Sequence, residues 1–104
     1  KDDKMTETIT AAAFIALRQA KDLQILDVRS KSEWDKGHLS DAKRVLLGKI
    51  LEDPLPFNRD EPLYVHCQSG VRSAVAIGAL EERGFKKIVN ILGGYTAIEK
   101  ILNE

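Results

Sequence analysis

The chain has 104 residues with sixteen Lys plus Arg against sixteen Asp plus Glu, a net charge of zero, and a single cysteine. That length suits one domain with a single core. The balance gives no overall field for nucleic acid or an anionic membrane, and one thiol excludes an intramolecular disulfide or a cysteine-rich metal site and fits a reducing compartment. Residues 1–5 are read as a terminal extension, either a cloning remnant or a disordered end, and residues 6–104 as the domain. The opening KDDKMTETIT carries no apolar signal core, and no window approaches the roughly 18 apolar residues that span a bilayer, so a soluble, cytoplasmic protein is expected.

Thr10 can cap a helix over 11–20, with Phe14 and Leu17 facing inward. The run from Leu23 to Val28 is mostly apolar and reads as a strand buried on both faces. Ser30 with Glu33 three residues on forms a capping-box pattern opening a short helix through Trp34 that stops at Gly37. A short strand is expected over 44–47. The segment 52–61 holds Pro54, Pro56, Asn58 and Asp60 and must be a loop. Strand character returns at Leu63-Tyr64-Val65-His66.

A helix over 73–83 follows, with Ala74, Ile77 and Leu80 on one face and Gly84 as its stop. Gly78 inside it implies close packing against the sheet, since glycine there costs about 1 kcal/mol relative to alanine. Residues 87–92 form a strand, Gly93-Gly94 a turn, and 95–102 a closing helix with Ile98, Ile101 and Leu102 on one side. Apolar strands alternating with helices imply a parallel sheet covered on both faces, with its site beyond the carboxyl ends of the strands.

Cys67 directly follows one of these strands and opens the loop Cys67-Gln68-Ser69-Gly70-Val71-Arg72. Between a strand end and a helix start, such a loop curls its N–H groups toward a common centre, and Gly70 permits the positive φ the curl needs. The helix dipole and the Arg72 guanidinium add positive character, and such settings lower a cysteine pKa from about 8.5 to roughly 3.5–7.5. A thiolate nucleophile at neutral pH is the expectation, against the alternative of inert core filler. Asp27 and Arg29 at the end of the strand over 23–28 are read as scaffold, paired with loop backbone or Glu33. His38 and His66 are assigned no catalytic role, although His66 adjoins the thiol. Lys43 and Arg44 are exposed basic residues near the rim.

Leu26-Asp27-Val28-Arg29 with Glu33-Trp34, Gly37-His38-Leu39 with Ala42, His66-Cys67 through Arg72-Ser73, and Leu92-Gly93-Gly94 together resemble the rhodanese family of sulfurtransferases over nearly all of residues 6–102. The resemblance implies a three-layer α/β rhodanese-type domain with a roughly five-stranded parallel sheet flanked by helices on both faces. It further implies that Cys67 takes sulfane sulfur from a donor such as thiosulfate or a low-molecular-weight persulfide, holds it as a persulfide, and passes it to a thiophilic acceptor. The loop 68–72 would cradle the outer sulfur, with Asp27, Arg29 and His66 in support.

No metal or organic cofactor is called for. With no second cysteine, the acceptor must be cyanide, a small thiol or a protein cysteine, and the domain could belong to a longer multidomain protein. A non-catalytic rhodanese-type binding or regulatory module is the alternative. A phosphatase or arsenate reductase ranks lower, because related enzymes of that kind hold five residues between cysteine and arginine where this chain holds four. The chain also departs from the family's pattern after Leu39, reading Ser40-Asp41-Ala42-Lys43-Arg44. Neutral Gln68 and Ser69 suggest a bulkier persulfide donor over thiosulfate.

Overall fold

A computed structural model describes residues 5–103. The expected terminal extension lies outside them except for Met5, which opens the first strand. The elements run β1 (Met5–Ile9), α1 (Ala11–Ala20), β2 (Gln24–Asp27), α2 (Lys31–Lys36), β3 (Ala42–Arg44), a single 3-10 turn (Leu47–Lys49), β4 (Leu63–His66), α3 (Val71–Glu82), β5 (Lys87–Ile91) and α4 (Gly94–Leu102). The five strands form one sheet in the order β1-β5-β4-β2-β3, with every pairing parallel. β4 is therefore central, and the loop it feeds emerges at the carboxyl edge, where parallel sheets leave a crevice.

Strand alternation sorts the core into two layers. Ile25, Tyr64, Val89 and Ile91 pack with Phe14 of α1 and Tyr95 and Ile98 of α4. Leu26, Leu63, Val65, Cys67 and Ile88 pack on the other face with Ala76 and Leu80 of α3 and with Phe85. Both expected caps form: the Thr10 hydroxyl accepts from the Ala13 N–H, and Ser30 and Glu33 complete a reciprocal capping box.

Several details differ from the sequence expectations. β1 carries only a weak apolar signal, because Thr6, Glu7 and Thr8 are exposed on an edge strand. β3 lies at 42–44, where its register against Ile25 to Asp27 is fixed, and 45–46 already leave the sheet. α3 starts two residues early, at Val71, because left-handed Gly70 serves as its N-cap. Its buried side carries Ser73, Ala76 and Leu80, while Ala74 faces solvent. Gly78 is exposed and a Cβ there would meet nothing within 4 Å, so it makes no close contact with the sheet. Leu102 is 46% exposed and does not join Ile98. Among the described residues no helix is long and apolar enough to cross a membrane.

Candidate active site

Strand alternation decides which way the residues at the end of β4 point. Cys67 falls on the face of Val65, and His66 on the face of Tyr64, so imidazole and thiol lie on opposite sides of the sheet. His66 is fully buried, donates from Nδ1 to the Cys67 carbonyl at 3.0 Å, and stacks on Tyr95. Burial holds its pKa below the ordinary value, so the ring is neutral in the fold. It positions backbone and does not touch sulfur.

The thiol is inside its own loop. The Gly70 N–H donates to Cys67 Sγ at 3.0 Å, made possible by the Gly70 φ of +105°. Burial alone pushes the thiol pKa up, but the Ser73 N–H and hydroxyl, with the Gly70 and Ser69 N–H groups, outweigh it and bring it below the usual value. The Ser73 hydroxyl also donates to the Gly70 carbonyl at 3.1 Å. Its one proton can serve only one acceptor at a time. Ser73 is fully buried at the start of α3 and is a site residue the sequence reading missed. A hydroxyl in the first turn of a helix right after the loop was the available signal.

Loop N–H groups can point inward only if the carbonyls point out, and α4 supplies the donors that those carbonyls need. The Tyr95 N–H bonds the Cys67 carbonyl at 2.8 Å and the Thr96 N–H bonds the Gln68 carbonyl at 2.9 Å. Gly94 makes this approach possible: a Cβ there would sit 2.6 Å from the Cys67 carbonyl oxygen and 2.7 Å from that of Gln68. The Gln68 side chain adds a second tie, donating to Thr96 Oγ1 and accepting from Arg29, both at 3.0 Å.

Arg29 and Asp27 pair with each other, as scaffold residues would. Arg29 Nη2 meets Asp27 Oδ2 at 2.8 Å, with side chains 1% and 0% exposed. The same guanidinium donates to the Gly37 carbonyl at 2.8 Å and lies 4.1 Å over the Tyr95 ring. The expected alternative partner, Glu33, is taken by Arg72 instead, in a two-pronged contact with both bonds at 2.8 Å. Arg72 holds the Glu33 carboxyl down at about 2, against 4.5 ordinarily. The guanidinium expected to face the sulfur thus gives its hydrogen bonds to a carboxylate while still feeling the charge of Cys67, and the loop N–H groups with Ser73 are the groups nearest the sulfur. Glu33 was legible as a cap residue only.

The remaining expected residues lie outside this core. Val71 is 75% exposed at the mouth. His38 stacks on Trp34 and bonds its carbonyl, and Arg44 donates to the Arg29 carbonyl from β3. Lys43 is exposed on the same edge strand. A cleft of about 350 Å³ adjoins the loop between α2 and α4, floored by Arg29, Gln68 and Tyr95. Among the described residues no cluster of metal-ligating side chains occurs.

The family model for the rhodanese-like domain matches residues 10–101. The Bacillus subtilis protein YrkF is 35% identical over 72 residues, 69% of this chain but only 39% of that protein's length. The thiosulfate sulfurtransferase GlpE of Coxiella burnetii is 28% identical over 76% of this chain and 74% of its own. A rhodanese-like domain protein from Staphylococcus aureus superposes with a TM-score of 0.80 at 34% identity, covering 88% of this chain and 90% of that one.

Proposed function

Since the chain belongs to the rhodanese-like domain family, we propose that it is a sulfurtransferase in which Cys67 carries the moving sulfur as a persulfide. The observation that carries this reading is the Gly70 N–H aimed at Cys67 Sγ at 3.0 Å, within a loop whose other donors lower the thiol pKa. The thiolate attacks the outer sulfur of thiosulfate or of a low-molecular-weight persulfide. Its electron pair makes the new S–S bond, the donor's S–S bond breaks, and the bonding pair leaves on sulfite or thiolate. Inward N–H groups meet the negative charge on the transferred sulfur without reorganising, because α4 already holds the loop carbonyls outward.

Cys67 is the only cysteine in the chain, so the second half-reaction uses an external acceptor: cyanide, a small thiol, or a cysteine of another protein. The sequence-stretch coverage of YrkF supports a unit that also operates inside longer proteins. Incubation with thiosulfate or a thiosulfonate, followed by intact mass, tests the reading. The expected result is a gain of one sulfur atom, removed by cyanide and absent in Cys67→Ala. No adduct with any sulfane donor would instead leave a binding module.

A further inference from the structure

We infer that Glu33 sets the donor class of the Cys67 site, turning its mouth against small dianions and toward organic donors that carry at most one negative charge. This deepens the sulfur-transfer reading and rests on it. A dianionic donor such as thiosulfate brings two charges to a thiolate that already carries one, and its leaving group, sulfite, departs with both. The step balances as thiosulfate plus Cys67 thiolate giving Cys67 persulfide anion plus sulfite. An organic persulfide or thiosulfonate transfers the same sulfur while its thiolate or sulfinate leaves with one charge. The first case needs an uncommitted cation at the mouth.

The structure commits its cations elsewhere. Both prongs of Arg72 are held by Glu33 at 2.8 Å, and Arg29 is closed on Asp27 with side chains 1% and 0% exposed. Gln68 and Ser69 are neutral. Along the adjoining cleft, with Arg29 closed on Asp27 and Glu33 on Arg72, Lys36 and Glu99 are left, one charge of each sign. Arg44 stands on β3, two strands from β4, about 10 Å across the sheet. What remains at the mouth is a set of backbone N–H groups around the sulfur, and a partly apolar rim. Val71 is 75% exposed and Val75 64%, four residues apart on α3, and Leu92 is 45% exposed. Leu92 adjoins Gly93, whose N–H lies 3.7 Å from where a Gly70 Cβ would stand, so it borders the same loop. An organic substituent finds contact there that an inorganic ion does not.

The test compares thiosulfate with methanethiosulfonate, which presents the same S–S bond with one charge fewer, using cyanide as a common acceptor. Glu33→Gln removes the charge while keeping a residue that serves the capping box with Ser30. Coulomb energy scales with the charge of the ligand, so an effect worth about threefold against a monoanion is worth about tenfold against a dianion. The variant should therefore raise kcat/KM about tenfold for thiosulfate and about threefold for methanethiosulfonate. An equal change with the two donors, or a larger loss with thiosulfate, overturns the inference and leaves Glu33 a strut for Arg72. The unmodified protein gives an independent reading: added salt should raise kcat/KM for thiosulfate, and more than for methanethiosulfonate, by screening repulsion. A fall with salt overturns the inference. Failure of both donors to add sulfur to Cys67 in the unmodified protein overturns the sulfur-transfer reading itself.

Discussion

Two arginine–carboxylate pairs flank the cysteine loop, and they differ in their access to water. Arg29 and Asp27 are 1% and 0% exposed, and every prong of the guanidinium is used, by Asp27, Gln68 and Gly37, with Tyr95 beneath it. Arg72 and Glu33 are 37% and 28% exposed and use each other. A buried pair of this kind stabilises little in sum, because desolvation offsets attraction, yet neither partner can be removed alone. A half-exposed pair costs less to break, and its main effect is the charge it presents to a ligand. The first acts as a rivet joining β2, the loop and α4, and the second as an electrostatic setting.

Removing half of the rivet is the most severe way to test that distinction. Arg29→Ala leaves the Asp27 carboxylate buried without its partner and should destabilise by about 3–5 kcal/mol. Replacing both members, Asp27→Asn with Arg29→Met, should cost less than the single change, because no lone charge remains. Urea unfolding of the two variants gives the comparison. A loss below about 1 kcal/mol for Arg29→Ala would place the two pairs in one class.

The half-exposed pair should respond less and should respond to acid. Glu33 titrates at about 2 in the fold against 4.5 ordinarily, so its contribution is fully present above pH 4.5 and disappears as pH falls toward 2. Allowing for screening at the surface, Glu33→Gln should cost about 1 kcal/mol at pH 7. Denaturant titrations at pH 7, 4 and 2.5 should show the two proteins converging in acid. A gap as large at pH 2.5 as at pH 7 would assign the loss to packing or to the cap, and not to charge.

The contrast between the two pairs also marks what the sequence could reveal. The strand, Cys67, Gly70 and helix sequence is local, and it placed the cysteine loop within two residues. Ser30 and Glu33 are three apart, so the capping box was legible. The same Glu33 meets Arg72 thirty-nine positions away, and no local pattern encodes that choice over Arg29. Gly93-Gly94 read as a turn, but that Gly94 lets α4 reach the loop carbonyls depends on two elements packing end to end. β1 escaped notice because Thr6, Glu7 and Thr8 on an exposed edge lack the apolar run that identified the inner strands.

Gly78 offers the smallest and cleanest control, since it shares α3 with Arg72 and Ser73 but touches neither pair. A glycine inside the helix implies close packing against the sheet, whereas the position is open to solvent and a Cβ there would meet nothing within 4 Å. Its backbone is not in the left-handed region, so alanine fits without strain. Gly78→Ala should stabilise by about 0.5–1 kcal/mol, partly by restricting the unfolded chain. In a domain of this size that corresponds to a rise of about 2–8 °C in Tm, measured by thermal unfolding. Sulfur loading of Cys67 should not change, because the first turn of α3 is fixed by Gly70 and Ser73 and not by the helix's intrinsic stability. A gain in Tm accompanied by slower loading would mean that the loop draws on motion of α3, and the division between a rigid rivet and an adjustable charge would then have to include the helix itself.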